Sequence, residues 1–503
     1  MEENIKIPQP NASISVIANQ RVWMQTNTAE FYAKLPGEMQ SFYTNWIKRC
    51  LEWYDGFVPN IHGTAYGLLS SGIGTTIVNR ATDIVFGGDI MFSNARKPLQ
   101  VAEVDGKTVG KALDFISNKW MKEVNGKSVI KRGISYAFAG GFSLLKLNKA
   151  SGRLWLDALR TDRFYVDFTG TEIRRAISLV SFFTHEVAKD NSEQYMLVED
   201  RRWEQIGLMK EIPVVEYKIY ASSAPVQFLD VEDRSIPWDH LPKDVKRAFK
   251  KAYGDCRLNE PVALNMDSLG VYLLRASDGI SNLPQLNLGE SILANVLSYL
   301  YEYDFFNTSL NTELYLSRGR VLAPKHIQSP LTASGNAPRG LDDFMLTEVP
   351  NTNGDPMKPT PLQFELRSEQ FRGIRNILLE NICTNIGLSP SSFAPYLQDG
   401  SARTAREVSS EESATTLFAE KARRLFEEPI NNLLSDVLRF YGYIDDVEIR
   451  WTRAGMSNQT VLVDVLSRAV QSGLISRKKA HSAFNFDDDE ELPCGTASSH
   501  TQS

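Results

Sequence analysis

A chain of 503 residues, at roughly 150 per domain, has material for about three structural units and more than one core, which excludes a small single module. Hydrophobic residues make up 42% and charged residues 23%, an ordinary globular balance that excludes wholesale disorder. The 55 Lys and Arg against 61 Asp and Glu leave a formal charge of −6, the wrong sign for a protein that grips phosphate by charge neutralisation, so a DNA partner would be handled loosely.

The opening Met1-Glu2-Glu3-Asn4 lacks the basic and apolar regions of a signal peptide, and no stretch reaches the ~18 apolar residues of a membrane span, so synthesis in the cytoplasm is expected. From about residue 30 to 288 the pattern is mixed. Residues 65–85 read as a helix, and Phe142-Ser143-Leu144-Leu145-Lys146-Leu147 and Leu154-Trp155-Leu156-Asp157 as strands. Residues 162–167, 174–183, 194–199 and 214–220 read as successive strands of an antiparallel sheet, with Trp203 packing against it rather than binding a ligand.

The character changes near Gly289. Ile292, Leu293, Val296, Leu297, Leu300 and Tyr303 have the three-and-four spacing of an amphipathic helix over residues 291–306. Strand-like segments at 313–316, 320–323 and 344–349, separated by Ser/Gly/Pro/Asn-rich stretches at 329–340 and 351–361, predict a small β-rich lobe. A second helix is predicted over 364–386, with Phe371, Ile374, Leu378, Ile382 and Ile386 on one face and Gly387 as its cap. The two helices would form a hairpin with the β lobe at its tip, and one chain alone would cover their apolar faces incompletely.

Two prolines and a glycine in residues 388–400 predict a loop. Thr404-Ala405-Arg406-Glu407 has capping-box spacing and opens a helix expected to reach Tyr441, kinked before Pro429. A strand at 447–451, a helix at 458–471, a turn at Gly473 and a shorter helix after Ser476 follow. The run Asp487-Asp488-Asp489-Glu490-Glu491 reads as a solvated acidic tail. No internal repeat is visible.

Chemistry has little purchase. Cys50, Cys256, Cys383 and Cys494 form no metal-type spacing and read as reduced structural thiols. Neither the six histidines nor the glycine clusters Gly72-Ile73-Gly74, Gly87-Gly88 and Gly140-Gly141 match a metal or phosphate-loop motif, and the glycines read as turns and close packing. The adjacent acids Asp342-Asp343, Glu411-Glu412 and Glu427-Glu428 face different directions and make a solvated face. Arg477-Lys478-Lys479 opens the second helix of a helix-turn-helix-like pair that reads better as a packed hairpin than as a groove reader. Exposed apolar stripes and a very long helix suit head-to-tail packing in a closed ring.

Residues 382–390, 396–400 and 402–408, including Thr384-Asn385-Ile386-Gly387-Leu388-Ser389-Pro390 and Ala402-Arg403-Thr404-Ala405-Arg406-Glu407, resemble the central segment of portal proteins of siphoviruses infecting Gram-positive bacteria. Val470-Gln471-Ser472-Gly473-Leu474-Ile475-Ser476, within 466–484, is similar to the helical hairpin of that family's crown, and residues 77–88 to the helix leading into its wing. The resemblance implies an α+β portal fold. Residues 1–288 are the wing, joined by a strand within 403–456. Residues 289–306 and 363–387 are the stem helices, 307–362 the β-rich clip, 388–402 the tunnel loop, 403–456 the long kinked helix with its returning strand, and 457–503 the crown and acidic tail.

The resemblance further implies a non-enzymatic subunit, without cofactor or metal, of a ring of about twelve copies. It sits at one capsid vertex of the virion, is assembled in the host cytoplasm, and passes double-stranded DNA inward and outward without contacting a membrane. Its partners are the terminase large subunit, the major capsid and scaffold proteins, and the head-tail adaptor. About twelve inner helices ~10 Å apart enclose a bore of about 28 Å, wide enough for a duplex. Ser391, Ser392, Tyr396, Gln398 and Asp399 are the candidate tunnel-lining residues, and Arg318, Arg320 and Lys325 the candidate clip contacts to terminase and adaptor. The alternatives are a DNA-binding regulator using residues 457–484, which predicts salt-sensitive, sequence-specific binding by that fragment, and an enzyme, for which no convergent set of acid, base or metal ligands stands out.

Overall fold

The computed structural model describes residues 46–56, 70–87, 90–94, 111–150, 152–188, 191–206, 210–221, 235–253, 257–264, 266–279, 287–316, 320–322, 345–346, 360–362, 368–390, 393, 405–443 and 447–451, all within the unit Met1–Trp451. The fold class is α+β, as expected from the mixed periodicities.

Helix α1 (Lys48–Tyr54) lies against α2 (Ile73–Phe86), which buries Ile77, Val78, Ala81 and Val85 on one face. Of the helix expected over 65–85, residues 65–69 lie outside the described residues, and α2 begins at Ile73 because Gly72 stands in the left-handed region at φ 66° and sets the chain outside helical geometry. Gly74 lets the helices touch: a Cβ there would lie 2.7 Å from the Trp53 carbonyl oxygen. Strand β1 (Ile90–Asn94) follows, then short helical turns that carry Trp120 into the core, then α3 (Gly126–Gly140). Gly141, at φ +97°, turns α3 directly into β2 (Phe142–Ala150). The expectation that the Gly140-Gly141 pair serves turn and packing holds, since Gly140 meets the Thr161 side chain and Gly141 the backbone of Gly289.

β2 is the centre of a three-stranded antiparallel sheet with β3 (Arg153–Leu159) and β9 (Val271–Arg275), and α3 lies across it. The second sheet is antiparallel, in the order β4 (Phe164–Thr169), β5 (Glu172–Ala188), β6 (Asn191–Ile206), β7 (Lys210–Ala221), β8 (Val262–Ala263). The predicted strands are present and longer than read. Asp162 and Arg163 are the exception, forming a single helical turn before β4, where Arg160 holds the Asp162 carboxylate. One part of this sheet is covered by α4 (Lys243–Tyr253), whose Val245 and Phe249 join Tyr195, Leu197 and Ile219 in a small separate core. Further along the same face of β6, Glu199 and Arg201 meet Lys146 and Asn148 of β2.

Helix α5 is Leu297–Leu316, preceded by a short turn at Ala294–Val296. It starts later and ends later than the reading of residues 291–306, and the expected strand at 313–316 is its last turn. A four-residue segment such as Glu313-Leu314-Tyr315-Leu316 is too short to show a period, and here the helix simply continues, with the hydroxyls of Thr308, Ser309 and Thr312 donating to carbonyls four residues back. Among the described residues of the expected β-rich lobe, β10 (Arg320–Leu322) pairs with β11 (Met345–Leu346) in parallel and with β12 (Thr360–Leu362) antiparallel, β12 arising at the end of the Pro-rich stretch read as loop. Helix α6 (Ser368–Ile386) packs against α5, and α7 (Ala405–Phe440) runs unbroken through Pro429, forgoing the hydrogen bond that position would donate. Strand β13 (Val447–Trp451) pairs antiparallel with β1, joining sequence positions far apart.

Candidate functional site

The segment that the sequence singles out, from α5 to α7, is built on a helix pair. In α6 the buried line is Leu379, Ile382 and Cys383, which faces α5, where Leu300 and Tyr303 are buried and Phe306 makes an edge contact with Phe371. The apolar face expected at Phe371, Ile374, Leu378, Ile382 and Ile386 is therefore divided: Ile374 and its neighbour Ile377 turn outward, and Ile377 is 58% exposed. α5 likewise carries apolar residues around its circumference, with Phe305 and Leu314 exposed while Leu300 is fully covered. On α7, Leu417 is 66% exposed, though Phe418 beside it meets Phe138 at 5.7 Å.

α6 closes with a Schellman arrangement. Gly387 sits at φ +86°, its amide donates to the Thr384 carbonyl at 3.2 Å, and the Leu388 amide donates to the Cys383 carbonyl at 2.9 Å. The expected glycine cap is thus present. The chain then enters the predicted loop with its first residues fixed: Leu388 and Phe393 are buried, and the Ser389 amide donates to the Thr415 hydroxyl at 2.9 Å. The mouth of the loop is pinned to α7.

α7 is tied to the sheets by polar contacts placed along its length. Arg423 donates to the Val85 carbonyl at 2.8 Å and lies 5.9 Å from the Trp451 ring centroid. Asn431 accepts the Ile449 amide at 2.8 Å, and Asp436 accepts the hydroxyls of Ser268 and Tyr272. Burial, with Asp436 alongside, pushes the Tyr272 phenol well above its usual range, so it remains a donor. Between α7 and β9 lies a cleft of about 890 Å³ lined by Trp203, Tyr272, Arg275, Pro429 and Asp436. Trp203 packs against the core as expected and also forms part of this wall.

The start of α2 is held to α5 by Asp304, whose carboxylate accepts the Ser71 amide at 3.1 Å and the Ser71 hydroxyl. Asp304 is wholly buried, and burial pushes its carboxyl above the ordinary range despite those two bonds. This tie was missed from sequence. The signal was an acid at a core position of an otherwise apolar helical segment.

Of the residues named in advance, Ser391, Ser392, Tyr396, Gln398, Asp399, Arg318 and Lys325 lie outside the described residues, and Arg320 is described only as backbone of β10. Thr404 of the capping box, the helices at 458–471 and after Ser476, the acidic run at 487–491, Cys256 and Cys494 also lie outside them. Cys50 and Cys383 are buried free thiols, each pushed up to about 12 by burial. Among the described residues no group of three His, Cys, Asp or Glu is placed to hold a metal, and no helix is long and apolar enough to cross a membrane.

Residues 362–493, from the end of the β lobe through α6, the loop, α7 and β13, match the family model of phage portal proteins. The family is the SPP1 Gp6-like one, and the match contains residues 382–390, 396–400 and 402–408, which carry the resemblance. No curated protein matches the chain.

Proposed function

We propose that this chain is the repeating subunit of a phage portal, a closed ring at one capsid vertex through which double-stranded DNA is packaged and later ejected. The observation that carries the reading is the α5–α6 hairpin. It leads into the portal-matched segment while leaving Phe305, Ile374 and Ile377 exposed, and a neighbouring subunit placed head to tail would cover them. In this reading residues 1–288 with β13 are the wing, α5 and α6 the stem, 307–362 the clip, 388–402 the tunnel loop, α7 the spine of the wing, and 457–503 the crown. The ring has about twelve subunits, the protein works without catalysis, and terminase and then the head-tail adaptor dock on the clip.

The deciding measurement is the mass and symmetry of the purified protein, by light scattering followed by electron-microscope class averages. Rings of about twelve 56.6 kDa subunits with a central hole are expected; a compact dimer would revive the regulator. Within a ring, deleting residues 391–399 should impair packaging or retention of DNA, and unchanged packaged length and titre would count against the tunnel assignment. Reversing Arg318, Arg320 and Lys325 together should block motor or adaptor docking, and normal assembly would remove that role.

A further inference from the structure

The protein is acidic overall, but one exposed helix face is not. On α4, Lys243, Lys246, Arg247, Lys250 and Lys251 recur at i, i+3, i+4, i+7 and i+8, a single stripe about 12 Å long. The opposite face of the helix, Val245 and Phe249, is buried against the five-stranded sheet, so the cationic face points away from the protein. None of the five cations forms an ion pair with another described residue. The acid within the stripe's length, Asp244, faces His185, with 2.7 Å between its carboxylate and the ring nitrogen. The stripe is also braced: Lys246 donates to the Asp239 carbonyl at 3.1 Å, and the ammoniums of Lys246 and Lys250 lie 5.8 Å and 5.4 Å from the Trp238 ring centroid.

We propose that the outward face of α4 is a sequence-independent contact for the phosphate backbone of double-stranded DNA, separate from any DNA path through a ring tunnel. Charge complementarity identifies the occupant. Duplex DNA carries one negative charge per ~1.7 Å of axis, so a 12 Å stripe runs along a length that holds about seven phosphates, part of them on the facing side, and lysine point charges on mobile stems suit a backbone that must be held without being read. A protein partner fits less well, because lysine is depleted at interface centres and the one aromatic beside this face, Trp238, already lies against the Lys246 and Lys250 ammoniums. A membrane fits less well too, since the apolar side that would insert is already buried under the helix. The net charge of −6 keeps the contact weak, which is compatible with DNA that must slide and leave.

The test uses the full-length protein and covalently closed duplex circles, which cannot thread a closed ring and therefore report only on outer surfaces. Two variants are compared with the wild type. One carries Lys243→Gln, Arg247→Gln, Lys250→Gln and Lys251→Gln; the other carries Glu at the same four positions. Lys246 is left in place because of its bond to Asp239. The wild type should bind the circles at low salt. The Gln variant, at unchanged melting temperature and particle mass, should bind at least about tenfold more weakly, with a log-affinity against log-salt slope shallower by about 3. Failure of the wild type to bind circles, or equal binding by the well-folded Gln variant, overturns the proposal. So does stronger binding to phosphatidylglycerol vesicles than to DNA at the same salt, which would make the stripe a membrane contact. Particle mass is read separately, so loss of the ring reading and loss of this one are distinguishable.

Discussion

Between the two main sheets one carboxylate serves two cations: Glu199 lies 3.2 Å from the Lys146 ammonium and 2.5 Å from the Arg201 guanidinium, and all three side chains are buried. Burial alone would raise the Glu199 carboxyl, but the two cations outweigh it and hold it down to about 2. Lys146 has the opposite balance, because burial and the neighbouring Arg201 exceed what a shared carboxylate returns, and its ammonium is pulled below the usual range. Glu199→Gln leaves two buried cations without a counter-charge and should cost about 3–5 kcal/mol in urea unfolding. The depressed carboxyl also fixes the pH window. Its stabilisation is complete above its ordinary value of 4.5 and is lost as pH falls toward 2, so acid titration of the melting temperature should show a loss there that the Gln variant lacks. Gly74→Ala is a steric counterpart. With its Cβ against the Trp53 carbonyl, α1 must move away from α2, and thermal melts should register a loss of about 1–3 kcal/mol. Neither feature was legible as such. Lys146 and Glu199 were read as members of strands, but local periodicity carries no information about a partner some fifty residues away.

Among the elements, the helices read at 65–85, 291–306, 364–386 and 404–441 are present with revised limits and faces, whereas α1, α3 and α4 were not read from the sequence. α2 and α5 begin where backbone geometry allows, after the left-handed Gly72 and after the turn at Ala294–Val296. α5 absorbs residues 313–316, because a four-residue segment is equally compatible with strand and helix until its neighbours settle it. For α6 the sequence showed enough apolar positions for a face, but only packing against α5 decided that Leu379, Ile382 and Cys383 point inward and Ile374 and Ile377 outward. That division makes a testable difference. Ile377→Asp and Leu417→Asp alter side chains that are more than half exposed in one chain, so each should leave the monomer's unfolding free energy in urea within about 0.5 kcal/mol of the parent. Both should reduce ring formation in light scattering. Wild-type particle mass for the double variant would mean these residues do not lie between subunits.

For the whole molecule, the resemblance read at residues 382–390, 396–400 and 402–408 is carried by the match of residues 362–493 to the portal family, and the mixed periodicities correctly indicated an α+β chain. What the sequence determined by itself was local: the existence of strands and helices from their periods, the glycine-capped end at Gly387, the long helix through Pro429, and a family-specific segment. Each of these is encoded by residues within a few turns of one another. What only the tertiary structure decided was long-range. The pairing of β1 with β13 brings Ile90 opposite Trp451, Asp304 clasps the start of α2, and Glu199 is buried between two cations. The cationic stripe of α4 faces outward only because Val245 and Phe249 find a core on the sheet behind them. Such contacts depend on which surfaces meet when the sheets and helices close on one another, and a linear pattern specifies the surfaces without specifying their partners.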